Sequence, residues 1–175
     1  YDKHHLVPFG EYIPFTKYIN NLGINFNNLE KGKKIKNNVI EYKNVPRFTP
    51  LICYELIFPG KYISDDANLI INFTNDAWFG NTTGPYQHFI HSIFRAIEEG
   101  NQVIRVANTG ISGSIGPYGR VLEKIDLNKS ASLDIKYITN NPDTFYSKYG
   151  NKFVIIILIS FFSILYFLRL KIKKK

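Results

Sequence analysis

Cys53 is the only cysteine among 175 residues, and it closes the apolar run Pro50-Leu51-Ile52 just before a phenol and a carboxylate, Tyr54 and Glu55. A lone cysteine forms no internal disulfide, so it is either inert core filler or a nucleophile. A thiol attacks as its thiolate, and a carboxylate alone opposes that ionisation, so a nucleophilic Cys53 needs a cation nearby. Side chains two apart on an extended segment share a face, which puts Glu55 beside Cys53. The cation is sought in the opening segment, where Lys3 and Glu11 flank turns made by Pro8 and Gly10, with Pro14 following. These residues oppose a continuous helix and are able to hold two charged groups in fixed directions.

Other candidates are weaker. His88 and His91 stand three apart on one helix face, but no third metal ligand accompanies them, which favours packing or hydrogen bonding. His4 and His5 are adjacent and point in different directions. No metal or cofactor is expected. The sequons at Asn72 and Asn81 are attributed to chance in an asparagine-rich chain.

The elements that must position Cys53 are legible from periodicity. Runs 51–54 and 69–73 read as buried strands, placing Cys53 at a strand end, where α/β proteins form clefts. A short helix is predicted from near Pro59, closed by Ser64-Asp65-Asp66. Tyr86, Phe89, Ile90, Ile93, Phe94 and Ile97 recur at helical spacing, so 85–99 is an amphipathic helix ended by Gly100. Strands are expected at 103–107, at Ser114 and Val121 around a Gly116-Pro117-Tyr118-Gly119 turn, and at 132–137. The asparagine- and lysine-rich stretch 17–44 reads as a loop or mobile arm with short strands. This mixture is α/β or α+β.

The net charge is +8, but five cations crowd residues 169–175 and leave only +3 elsewhere. The cluster Lys31, Lys33, Lys34 and Lys36 reads as a solvated loop, so nucleic acid is not expected as a partner. Residues 153–168 carry no charge. Sixteen residues fall short of the roughly 20 that span a bilayer, but Lys152 and Arg169 extend the stretch by snorkelling, and Ser160 and Ser163 bond back to the helix. A transmembrane helix is therefore expected, with the basic end cytoplasmic and everything before Phe153 on the outer side. The start at Tyr1 and the lack of methionine suggest a fragment of a longer protein or the remnant of a gene.

The stretch Lys3-His4-His5-Leu6-Val7-Pro8-Phe9-Gly10-Glu11-Tyr12-Ile13-Pro14 resembles the lysine motif of the nitrilase (carbon-nitrogen hydrolase) superfamily, and more specifically that of the apolipoprotein N-acyltransferases. Cys53-Tyr54-Glu55 and Asn75-Asp76-Ala77-Trp78-Phe79-Gly80 follow in the family's order and approximate spacing, and the likeness runs to about Gly119. The resemblance implies a nitrilase-like α-β-β-α sandwich. Residues 1–150 would supply its C-terminal part, 151–170 a transmembrane helix and 171–175 a basic cytoplasmic tail. It places the catalytic part on the periplasmic side of a bacterial inner membrane.

The implied reaction moves a fatty acyl chain from a phospholipid to Cys53, as a thioester, and then to the N-terminal amine of a diacylglyceryl-cysteine lipoprotein. In that pattern Lys3 favours the thiolate and stabilises the oxyanion, the Tyr54 N–H is a second oxyanion donor, and Glu11 and Glu55 support the site. Trp78, Phe79 and Asn75 bind substrate, although Trp78 is also readable as core filler. The family's general-base glutamate lies upstream of the lysine motif and has no counterpart in this sequence, so residues 1–175 alone are expected to be inactive. Two alternatives stand beside this one: a carbon-nitrogen hydrolase of a small amide or nitrile, and an inactive remnant acting as a membrane-tethered binding module.

Overall fold

A computed structural model describes residues 1–16, 28–33, 38–138 and 141–173, with side chains in the last helix described through 166 and at 168 and 169. Three parallel strands, β2 (Val45–Ile52), β3 (Leu69–Asn75) and β4 (Gln102–Asn108), form the centre of a six-stranded sheet. β1 (Ile40–Tyr42) pairs antiparallel with β2, while β5 (Ser112–Ile115) and β6 (Val121–Ile125) extend the other edge antiparallel. The result is a mixed sheet in an α/β fold.

Parallel neighbours end at the same edge. Ile52 pairs with Phe73 and Asn75 with Asn108, so the segments leaving β2 and β3 emerge side by side, which is where parallel sheets place binding crevices. The crossover from β3 to β4 is α1 (Gly84–Glu99), with Pro85 in its first turn and Gly100 left-handed at φ 67° just beyond its end. Leu51, Leu56, Ile70, Phe89, Ala96, Val103, Ile111 and Ile115 make the core between α1 and the sheet. Two further helices follow, α2 (Phe145–Tyr149) and α3 (Lys152–Lys173). The described residues supply one sheet and its helix layer, and the second sheet of the expected sandwich is not formed among them.

Several expectations need correction. No helix forms near Pro59; the short helical segment is instead a 3-10 turn, Cys53–Ile57, directly after β2. Residues 132–137 form no strand; the end of the segment is held instead by the Gln102 side chain, whose Oε1 accepts from the Ile138 N–H at 2.8 Å and whose Nε2 donates to the Lys136 carbonyl at 3.2 Å. The predicted apolar stripe of α1 is only partly buried. Phe89 is covered, but Tyr86, Ile90, Phe94 and Ile97 stay about half exposed, while His88, Ser92 and Arg95 go inside. His88 and Arg95 tolerate burial because they pair with Asp76 and Glu98. Most of the expected arm 17–44 lies outside the described residues; β1 is its one described strand.

α3 runs 22 residues, and its described apolar side chains are exposed on every side. Ser163 does bond back to the Ile159 carbonyl, at 2.8 Å. Among the described residues, however, no helix is long and apolar enough to cross a membrane.

Candidate active site

β2 delivers Cys53 to the sheet edge and then breaks. Cys53 has φ 52°, a left-handed conformation that an L-residue holds only when its surroundings impose it, at a cost of roughly 1–3 kcal/mol. The chain turns sharply there into the 3-10 segment Cys53–Ile57 and leaves the thiol partly exposed at the turn. Such strained positions cluster at active sites.

The same turn overturns the expectation that Glu55 shares a face with Cys53, since the segment is no longer extended. Glu55 is 0% exposed and accepts four hydrogen bonds. Its Oε1 takes the backbone N–H groups of His4 (2.6 Å) and His5 (3.1 Å), and its Oε2 takes the Tyr1 hydroxyl (2.8 Å) and the Ile52 N–H (2.8 Å). Glu55 thus clamps the opening segment onto the end of β2. Burial, and next the Glu55 carboxylate, hold the Tyr1 hydroxyl well above the usual phenol range, so it stays a donor.

Within the clamped segment the Lys3 Nζ reaches both oxygens of Glu11 at 2.7 Å, and Glu11 Oε2 also accepts the Val7 N–H at 2.8 Å. The turn around Pro8 and Gly10 closes this loop, with the Gly10 and Glu11 N–H groups bonded back to the Val7 carbonyl. Lys3 and Glu11 are both partly buried, so removing either partner costs more than breaking an exposed pair.

A second 3-10 turn, Asp76–Phe79, follows β3, capped by the Asn75 side chain accepting from the Ala77 N–H at 3.1 Å. Its first residue anchors a buried network. Asp76 Oδ2 accepts from Arg105 Nη2 at 2.7 Å, and Asp76 Oδ1 lies 2.8 Å from His88 Nδ1. Arg105 also donates from Nη1 to Asn72 Oδ1 at 2.6 Å and from Nε to the Ile111 carbonyl at 3.2 Å. Burial pushes the Asp76 carboxyl up, but His88 and Arg105 outweigh it and hold the group below its ordinary range. A Cβ at Gly110 would run into this carboxylate, which accounts for a glycine there.

Glu11, Cys53, Tyr54, Asn75, Trp78, Phe79, His88 and His91 line one cavity of about 350 Å³, together with Val7, Pro8, Ile57 and neighbouring α1 residues. The volume lies within the ordinary range for small-molecule pockets, about 300–1,000 Å³. Six of the eight residues expected in the site therefore share one wall. Lys3 and Glu55 are not among its lining residues; Lys3 is paired with Glu11, which is, and Glu55 holds the clamp behind Cys53. Trp78 is 76% exposed, which excludes the core-filler reading. His91 is held below the usual imidazole range by burial, then by Arg95, and is neutral at pH 7. No group of three side chains able to hold a metal exists among the described residues.

Sequence reasoning missed Asp76 and Arg105. One signal was available: Arg105 is the single charge in the apolar run Val103-Ile104-Arg105-Val106, and a cation inside a central strand demands a buried anion.

The carbon-nitrogen hydrolase family matches residues 1–140. Curated relatives include the apolipoprotein N-acyltransferase of Rhizobium rhizogenes, 44% identical over 76% of this chain and 26% of its own length. That of Rickettsia bellii is 43% identical over 98% of this chain and 35% of its own length. The chain thus spans about a quarter to a third of the length of such relatives. Among solved structures, a CN-hydrolase superfamily protein from Xanthomonas campestris superposes with TM-score 0.47 at 20% identity, over 74% of this chain and 49% of that one.

Proposed function

Since the chain belongs to the carbon-nitrogen hydrolase family, we propose that it carries the nucleophile-bearing part of an acyltransferase that moves a fatty acyl chain from a phospholipid to the N-terminal amine of a diacylglyceryl-cysteine lipoprotein. The observation that carries this reading is Cys53, held left-handed at the sheet edge and opening into a cavity walled by Trp78 and Phe79. The likeness to enzymes named apolipoprotein N-acyltransferase supports the choice of substrates.

In the first step the Cys53 sulfur bonds to the ester carbon. The ester C–O bond then breaks, and the lysophospholipid oxygen leaves with a proton. In the second step the amine nitrogen bonds to the thioester carbon, the C–S bond breaks, and the thiolate regains a proton. A thioester suits this order because thiolate is a good leaving group toward an amine. Lys3 favours the thiolate and the oxyanion, and the Tyr54 N–H is the second oxyanion donor. Glu11 fixes the Lys3 ammonium, and Glu55 fixes the segment that carries it. Trp78, Phe79 and Asn75 hold substrate in the cavity.

α3 is the membrane anchor in this reading, with residues 171–175 cytoplasmic and residues 1–150 on the periplasmic side of the inner membrane. Its support is the exposed apolar surface of α3, for which the sheet domain provides no cover.

The test uses the full-length protein and a phospholipid labelled in its acyl chain. The label is expected on the protein as a hydroxylamine-labile thioester and then on an added diacylated lipopeptide, and Cys53→Ala is expected to abolish both. Unchanged transfer in Cys53→Ala, or turnover of small amides without transfer from lipid, would overturn the proposal.

A further inference from the structure

Leu51, Asn72 and Arg105 stand in register on the three parallel strands, with Leu51 opposite Asn72 and Asn72 opposite Arg105. None of the three is more than 1% exposed. Asn72 begins a sequon, yet its amide is engaged inside the sheet. Its Nδ2 donates to the Leu51 carbonyl at 3.1 Å, and its Oδ1 accepts from Arg105 Nη1 at 2.6 Å. A guanidinium only donates and a carbonyl only accepts, so this amide has a single orientation.

The Leu51 carbonyl and the Ile52 N–H belong to one rigid peptide plane. Asn72 holds the carbonyl, and Glu55 Oε2 holds the N–H at 2.8 Å. Side chains thus grip both polar groups of the plane that leads into the nucleophile. Between that plane and the Cβ of Cys53 lie only the dihedrals of Ile52, extended at φ −103° and ψ 113°, and the φ of Cys53, left-handed at 52°.

The other end of these bonds lies at the second 3-10 turn. Arg105 Nη2 donates to Asp76 Oδ2 at 2.7 Å, and Asp76 opens the turn that bears Trp78 and Phe79. Asp76, Arg105 and Asn72 therefore bridge one cavity-lining turn to the peptide in front of the other. A fully buried amide in the apolar strand Leu69-Ile70-Ile71-Asn72-Phe73 costs desolvation that an apolar side chain of similar size avoids. What the amide adds is direction.

We infer that Asn72 is a positioning residue for the nucleophile: through the Leu51 carbonyl it aims the Cys53 thiol into the cavity and ties that aim to the turn bearing Trp78 and Phe79. The inference rests on the reading of Cys53 as the residue that is acylated. Asn72 itself touches no substrate.

Single-turnover acylation of the full-length protein by a labelled phospholipid gives two readouts. The amplitude counts folded sites, and the rate constant reports their geometry. Asn72→Asp keeps an oxygen for Arg105 but sets its other oxygen against the Leu51 carbonyl, so it breaks the last bond of the bridge. It is expected to lower the rate constant about ten- to a hundredfold, as a small misplacement of a reacting atom does, with amplitude and the KM for phospholipid near wild type. Asn72→Ser, whose shorter hydroxyl both donates and accepts, is expected to recover part of the rate. A full rate constant in Asn72→Asp, or a loss confined to the amplitude in both variants, would overturn the inference, because a purely structural residue changes only how many molecules fold.

Should neither variant fold, ¹⁵N-asparagine spectra of the wild type decide. The Asn72 Nδ2 resonance is expected to move when Cys53 is alkylated with iodoacetamide and to stay put in Cys53→Ala treated alike; a resonance that ignores the alkylation overturns the inference. This readout needs no lipid. A wild type that alkylates but never forms the thioester would instead bring down the acyltransfer reading.

Discussion

Two carboxylates lie buried at the same edge of the sheet, and they are satisfied in opposite ways. Glu55 follows β2 and takes only neutral donors, three backbone N–H groups and a phenol. Asp76 follows β3 and takes a guanidinium and an imidazole. A cage of backbone donors fixes where a chain segment lies, and here it fixes the segment bearing Lys3. A charged network fixes side chains instead, and here it holds His88 and Arg105 on Asp76 in the interior. The site is thus held by two devices that should fail differently.

The largest expected effect is on the charged side. Asp76→Asn leaves the Arg105 guanidinium buried without a counter-charge and should destabilise the protein by about 3–5 kcal/mol, measured by denaturant unfolding of the full-length protein. Replacing the pair together, Asp76→Leu with Arg105→Met, should cost clearly less than the sum of the single changes. Additive losses would mean that the two groups do not act as one unit. On the neutral side, Glu55→Gln turns an amide N–H₂ toward backbone donors and should cost about 1–3 kcal/mol. The difference in kind is sharper than the difference in size. Glu55→Gln should speed amide hydrogen exchange at His4 and His5, while Asp76→Asn should leave those amides protected.

Acid separates the two devices further. The native Asp76 pKa is depressed below its ordinary 3.8, so the stabilisation from its network is complete above that value and is lost as pH falls through the native pKa. Melting temperatures of the wild type should therefore drop below pH ~3.8, and the drop should be shallower in Asp76→Asn. Parallel curves for the two proteins would remove Asp76 from the acid transition.

The contrast also separates what the residue pattern revealed from what it concealed. Helix 84–99 was legible because its period is local, and Gly100 marks its end within the same window. Its buried face was not legible: His88 and Arg95 read as polar, and the partners that let them go inside, Asp76 and Glu98, are found only in three dimensions. Cys53 drew notice as an unpaired thiol, and Trp78 and Phe79 through the resemblance of the 75–80 stretch to a family motif; the fold brings all three to one cavity. The side on which Glu55 lies was missed because a single left-handed residue, Cys53, ends the strand at Ile52, two positions before the end of the expected run 51–54. No residue type at position 53 announces that break, since glycine is the usual signal for positive φ.

The smallest effect lies at the far end of α1, away from both devices. Glu98 and Glu99 occupy its last turn, where the helix dipole already disfavours negative charge. Arg95 compensates Glu98 directly, with Nη2 2.6 Å from Glu98 Oε2, but Glu99 Oε1 is buried with no hydrogen-bond partner among the described residues. Burial, and then the charge of Glu98, raise the Glu99 pKa above its ordinary 4.5; Asp65 adds to the shift, and Arg95 and a hydrogen bond from the Gly60 backbone oppose it. A raised native pKa gives stability that is present below the unfolded value and lost as pH rises through the native one. Ionised Glu99 is therefore a net cost at neutral pH. Glu99→Gln should raise stability by about 1 kcal/mol at pH 7 and by little or nothing at pH 4, read as melting temperatures of the two proteins. An equal gain at both pH values would trace the effect to packing. A loss at pH 7 would mean that the Gly60 backbone bond to the ionised carboxylate outweighs the cost of its burial.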